Sequence, residues 1–225
     1  MTISRRTQMA RKCASGSVRW IIVSIPDAKK VFANSKTVAD RLRRYNGIES
    51  QPLYHPPPRA ENLQGGEQGD YIFYPSRLEP QKRQELLIEA AQYLRTPVKI
   101  ILAGGSGDPK RYESLVKKYG VADRVCLRGF VTESEMIELY ANALGVCYLP
   151  FDEDYGYVTL EGMLSGKPVV VASDGGGATE FIEHEREGLI VEPDARALAE
   201  SLDSLYADRE RAQAMGTRGL ENSKP

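Results

Sequence analysis

Glu153 and Glu161 stand with seven residues between them in the stretch 150–172, PFDEDYGYVTLEGMLSGKPVVVA, and Gly156 lies in the interval. Leu160, Met163 and Leu164, then Ser165-Gly166-Lys167-Pro168, then Val169-Val170-Val171 predict a loop, a short helix starting near Tyr157, a glycine stop and a buried strand. The first amides of such a helix have no intrahelical partner, and the aligned peptide dipoles leave partial positive charge there. A phosphate suits that end. Gly156 removes the side chain that would keep an anionic ligand off the backbone. Carboxylates do not help to hold phosphate. One before the helix and one inside it are better placed to accept hydrogen bonds from sugar hydroxyls. A ligand with a diphosphate in the middle and a sugar at each end fits that set.

Two cations answer the acids. In PSRLEPQK, residues 75–82, Arg77 and Lys82 follow the apolar run 71–74. If that run is the first strand of a parallel sheet, both lie at its carboxyl end and face a cleft. A guanidinium fork and an ammonium point charge would neutralise a diphosphate. The run 98–103 ends in Gly104-Gly105-Ser106-Gly107, which is either a plain tight turn or a close approach of backbone to a ligand. It reads G-G-S-G rather than G-x-G-x-x-G, and it falls on the second strand–helix turn.

The elements that must position these groups alternate. After the polar, glycine-rich stretch 59–69, read as a linker, strands are predicted over 71–74, 98–103, 124–127, 146–149, 169–171 and 189–191. Helices are predicted over 84–94, 110–119, from Thr132, from Tyr157, near Glu180 and over 195–206. Thr132 with Glu135 reads as a capping box, and Asp194 as a helix cap. This order gives an α/β fold, a Rossmann-like parallel sheet with helices on both faces. Before the linker come a short strand over 30–34, a helix over 36–45 capped by Ser35 and stopped at Asn46-Gly47, and an extended segment ending in Pro56-Pro57-Pro58. The organisation is therefore 1–58, a linker over 59–69, and 70–225.

The stretch from Pro150 to Val170 resembles the acidic motif P-S-x-x-E-G-F-G-x-x-x-L-E-A-M-A-x-G-x-P-V-V of the retaining nucleotide-sugar glycosyltransferases of family 4, with Asp154 and Gly162 among its departures. Arg77 and Lys82 match that family's G-R-x-x-x-x-K-G; Ser76 and Arg83 replace its two glycines. Residues 34–42 resemble the close of its N-terminal domain. The resemblance implies a C-terminal nucleotide-sugar-binding domain over 70–225, with 1–58 a remnant of the acceptor-side domain and the crossing helix cut off at Pro225. It implies transfer of a sugar from a nucleoside diphosphate sugar to an acceptor glycan or lipid-linked saccharide with retention at the anomeric carbon, and no metal or cofactor. Arg77 and Lys82 would take charge on the leaving diphosphate, Glu153 would hold the transferred sugar, and Glu161 the ribose. Donor contacts are implied at Gly156, Tyr157, Val158, Val131, Gly104, Gly105 and Gly176, the last within a Gly175–Gly177 run followed by Glu180. A chain so shortened is expected to bind donor weakly and turn it over slowly or not at all.

Composition bounds the alternatives. The 225 residues are 41% hydrophobic, enough for a sizeable core, and the net charge is −1. Residues 1–60 hold 12 of the 30 Lys and Arg but 3 of the 31 Asp and Glu, a net +9 that leaves −10 for the remainder. That segment reads either as an exposed basic helix face or as a peripheral contact with an anionic membrane surface. It has no aromatic interleaving, so no nucleic-acid partner is expected. Cys13, Cys126 and Cys147 show no paired or metal-ligand spacing, and Cys126 and Cys147 read as buried thiols of a cytoplasmic protein. The run 20–25, WIIVSI, is too short to span a bilayer, and no signal peptide is expected. Three other readings stay open. An NAD-dependent oxidoreductase would need a glycine fingerprint at the first strand, which 71–82 lacks. A sugar-nucleotide epimerase would need a different acidic and His set, and only His55 and His184 exist. The third is a non-catalytic binding or docking module.

Overall fold

Apolar runs separated by amphipathic ones can pair in parallel only when each crossover lays a helix over one face of the sheet. The computed structural model describes residues 28–58 and 60–223, and the chain divides into two compact units between Tyr54 and His55. In the first unit, β1 (Phe32–Ala33) pairs in parallel with β2 (Gln51–Pro52), and α1 (Lys36–Arg41) connects them. Ser35 caps α1, its backbone extended and its side chain accepting from the Val38 amide at 3.0 Å. The helix expected over 36–45 stays α-helical only to Arg41; Leu42–Asn46 is a π-helical turn, closed by Gly47 at φ 68°. Cys13, the run 20–25 and part of the basic segment lie outside the described residues.

In the second unit six strands form one sheet: β3 (Tyr71–Pro75), β4 (Lys99–Ala103), β5 (Val125–Gly129), β6 (Gly145–Tyr148), β7 (Val169–Ala172) and β8 (Gly188–Val191). Their order is β5-β4-β3-β6-β7-β8, and every pair is parallel. The chain builds outward from β3 to β5, then returns to the other side of β3 for β6. The switch point of the sheet therefore lies between the carboxyl ends of β3 and β6, where ligands of open α/β sheets bind.

Side chains alternate across the sheet. Ile72 and Tyr74 point into a core with Leu87 of α2 (Gln84–Ala90), Tyr112 of α3 (Pro109–Tyr119) and Leu198 of α6 (Ala195–Ala207). Phe73 points the other way, to Tyr140 of α4 (Glu133–Ala141) and Met163 of α5 (Tyr157–Leu164). The inner strands β6 and β7 are buried at every residue, as strands covered on both faces must be. β5 is an edge strand and alternates, Val125 inward and Cys126 outward. The expectation of two buried thiols is thus corrected: Cys147 is buried and Cys126 is exposed.

The expected caps form. Thr132 and Glu135 complete both halves of a capping box on α4, and Asp194 accepts from the amides of Arg196 and Ala197. The helix expected over 84–94 ends at Ala90 and tightens into a 3-10 turn, Ala91–Tyr93. A last helix, α7 (Arg209–Asn222), follows Asp208, which caps it, and packs on α5 and α6. The polar stretch read as a linker is held along the second unit. Lys167 Nζ donates to the carbonyls of Gly66 and Glu67 at 3.3 and 3.1 Å, Arg209 to those of Gln68 and Gly69, and the Gly69 amide to Asn142 at 3.0 Å. Among the described residues no helix is long and apolar enough to cross a membrane.

Candidate functional site

Because the strands of this sheet are parallel, the loops that leave β3 to β7 gather at one edge. Residues 76–83 leave β3. Tyr74, fully buried, fixes them: its hydroxyl donates to the Lys82 carbonyl and accepts from the Leu149 amide at 3.1 Å. One tyrosine thus holds Lys82 against the end of β6, across the switch point.

There Lys82 meets Glu153. The ammonium makes a close ion pair with Glu153 Oε2 and donates to the Tyr148 hydroxyl at 3.0 Å, which in turn donates to Glu153 Oε2 at 2.9 Å. Lys82 and Glu153 side chains are 13% and 24% exposed, so the pair is shielded but reachable. Burial of Tyr148, and then the Glu153 carboxylate beside it, hold its hydroxyl far above the ordinary tyrosine value; the charge of Arg77 acts the other way. Arg77 is two-thirds exposed and paired with Glu79 at 3.1 Å. The two cations therefore share a loop, but Lys82 is anchored and Arg77 stands in solvent.

Glu153 is placed by its backbone as well. The loop after β6 runs beside the loop after β7: Asp152 donates to Asp174 O at 3.0 Å, Glu153 to Gly175 O at 3.2 Å, and Gly177 to Glu153 O at 2.7 Å. Gly176 makes the approach feasible. Its φ is 62°, and a Cβ there would lie 2.6 Å from the Glu153 carbonyl oxygen. Gly156 then starts α5 at φ 88° with no side-chain hydrogen bond to the helix end. The amides of Tyr157 and Val158 open a helix whose front is uncapped by its own sequence. A Cβ at Gly156 would meet Ala178 at 2.8 Å, so the residue is needed for packing as well as for access.

The other predicted residues lie on α5 and on the loops after β4 and β5. Glu161 is buried within α5 and accepts from the Tyr140 hydroxyl at 2.6 Å. Tyr157 is partly exposed, its hydroxyl 2.6 Å from His55 Nε2; the His55 ring stacks on Tyr155. Gly104 follows β4 and runs against the backbone of Ser76, while the ring of Phe130 lies against Gly105. The side chain of Val131 is buried in the core below α4, and Phe130 beside it is exposed. The residues missed by sequence are tyrosines. Tyr148 sits in an apolar run, and its signal was its tip: a tyrosine buried at a strand end must find a polar partner, and the adjacent loop supplies acids. Among the described residues no group of three or more His, Cys, Asp and Glu is placed to hold a metal ion. The hollows elsewhere in the unit, of about 230 Å³ beside Asp70, Lys99 and Cys126 and about 410 Å³ beside His184, Glu200 and Arg211, lie away from these loops.

Residues 60–222 match the family described as "Glycosyl transferases group 1". A GDP-mannose-dependent alpha-(1-6)-phosphatidylinositol monomannoside mannosyltransferase of Mycobacterium tuberculosis is 34% identical over 160 residues, 65% of this chain and 40% of that protein. A D-inositol 3-phosphate glycosyltransferase of Nocardia farcinica is 26% identical over 226 residues, 88% of this chain and 49% of its own length. This chain thus spans less than half the length of these curated relatives. The crystal structure of Anabaena Alr3699/HepE in complex with UDP and glucose superposes with a TM-score of 0.82 at 22% identity, over 95% of this chain and 64% of that one. The fold is shared with it.

Proposed function

Since the chain belongs to the Glycosyl transferases group 1 family, we propose that its second unit binds a nucleoside diphosphate sugar and supplies the donor side of a sugar transfer that retains anomeric configuration. The observation that carries this reading is the Lys82–Tyr148–Glu153 group at the switch point, beside the uncapped start of α5. A GDP-mannose-dependent relative and a structural neighbour holding UDP support a diphosphate donor.

Lys82 has three N–H bonds to give. One goes to Glu153 and one to Tyr148, and the third reaches the diphosphate. Arg77 and the amides of Tyr157 and Val158 share that charge. As the bond between anomeric carbon and diphosphate oxygen breaks, these groups hold the developing negative charge; loss of one such donor typically costs about 3–4 kcal/mol of barrier. The acceptor hydroxyl attacks the face the diphosphate leaves, and its proton passes to a diphosphate oxygen, so the configuration is kept. The hydrogen bonds from Lys82 and Tyr148 to the Glu153 carboxylate fall on Oε2, and Oε1 accepts from a hydroxyl of the transferred sugar. Glu161, set by Tyr140, accepts from the ribose, and the backbone at Val131, Gly104, Gly105 and Gly176 borders the nucleotide.

Calorimetric titration with UDP, GDP, ADP and NAD tests this. Binding of at least one nucleoside diphosphate is expected, weakened about tenfold or more in Lys82→Ala, a change of about 1.4 kcal/mol. Arg77→Ala should weaken it less, because that side chain is already largely hydrated. Binding of NAD with none of the diphosphates overturns the reading.

A further inference from the structure

Arg83 stands where the family pattern has glycine, and its backbone lies in the left-handed region that favours glycine, φ 51° and ψ 36°. A non-glycine residue in this region persists only when its surroundings hold it. Its amide closes the turn on the Pro80 carbonyl at 3.1 Å, and its side chain reaches beyond that turn. Nε donates to the Leu149 carbonyl at 2.7 Å and Nη2 to the Pro150 carbonyl at 3.0 Å, both on the segment leaving β6. Nη1 and Nη2 also donate to the two Asp174 oxygens at 3.0 and 2.6 Å, on the loop leaving β7. One guanidinium therefore ties three loops, those after β3, β6 and β7.

Those loops are the ones that aim Glu153. Asp174 and Gly175 give the carbonyls that receive the amides of Asp152 and Glu153, and Lys82, the neighbour of Arg83, gives the ammonium on the Glu153 carboxylate. A fork bonded to two carbonyls and a carboxylate fixes direction as well as distance, which an ammonium cannot do. We propose that Arg83 is a positioning residue, a guanidinium clamp that closes the loops after β6 and β7 on the loop after β3 and so holds Glu153 at the donor site. The clamp is formed by this chain's own residues; only its consequence for ligand affinity rests on the function proposed above.

Arg83→Gly is the decisive variant, because it removes the fork while relieving the backbone, so that the loss of the bonds is not compounded by strain. Hydrogen exchange of the whole chain is read at the amides of Asp152, Glu153 and Gly177. Exchange about tenfold faster than in the parent is expected there, a loss of about 1.4 kcal/mol of local protection, with the strands β3 and β6 unchanged. Arg83→Lys should not restore protection, and millimolar ethylguanidinium should restore it in Arg83→Gly but not in Asp174→Asn, a rescue that loss of bulk stability would not show. UDP and GDP affinities should fall with protection. Unchanged exchange at all three amides, or full rescue by lysine, overturns the clamp. If the parent binds no nucleotide, the exchange data still decide the clamp and the function proposed above is what fails.

Discussion

At the scale of residues, the site is an exercise in sharing. The carboxylate of Glu153 is offered one ammonium and one phenol, and both settle on the same oxygen. Removing the phenol separates its contribution from that of the charge. Tyr148→Phe should leave the ion pair in place yet lower stability by about 1.5–3 kcal/mol, because hydrogen bonds to two shielded charged groups are lost. Urea denaturation measures it, and an unchanged midpoint would mean that water replaces the hydroxyl at no cost. Glu153, Glu161 and Lys82 could be singled out in the sequence because of their spacing around Gly156 and after the run 71–74. Tyr148, Tyr140 and Tyr74 were not, since a tyrosine in a strand is equally an ordinary core residue until its hydroxyl partner is known.

At the scale of elements, α7 shows where local pattern fails. Gly216 and Gly219 lie inside it, and glycine disfavours a helix interior by roughly 1 kcal/mol. Packing overrides that. A Cβ at Gly216 would sit 2.1 Å from the Gly166 carbonyl oxygen, whereas one at Gly219 would meet the flexible Met163 side chain at 3.3 Å. Gly216→Ala should therefore cost about 1–3 kcal/mol or more through overpacking. Gly219→Ala should be neutral or stabilising, the helix gain offsetting a small shift of Met163. Thermal melts of the two variants check this, and equal effects would disprove the close approach. The caps at Ser35, Thr132 and Asp194 were readable because a cap is made within three residues. The end of α2 at Ala90 and the course of 59–69 were not, because they are fixed by partners far along the chain.

At the scale of the molecule, Lys167 joins the turn before β7 to the segment at Gly66 and Glu67. Burial lowers its ammonium from 10.5 to about 8. Between those values the unfolded chain binds the proton and the folded protein does not, so stability rises with pH through that window and the gain is lost as pH falls through 8. Tyr71 acts oppositely higher up: burial first, then Glu138, raises it from 10.0 to about 12, so its contribution is lost as pH rises through that range. From pH 8 to 10 the urea midpoint should therefore climb in the parent more than in Lys167→Met. Equal slopes would show that the ammonium stays hydrated in the fold.

The sequence by itself determined the α/β alternation, the acids, the paired cations and the glycine before α5, because period, charge and backbone freedom are local properties written in residue type. Only the tertiary structure decided that Lys82 rather than Arg77 meets Glu153, that Arg83 bonds to the segments leaving β6 and β7, and that Cys126 faces outward. Each of those depends on which strands become neighbours and which lies at the edge. That choice is made by the packing of two helical layers on one sheet, and no single stretch of chain contains it.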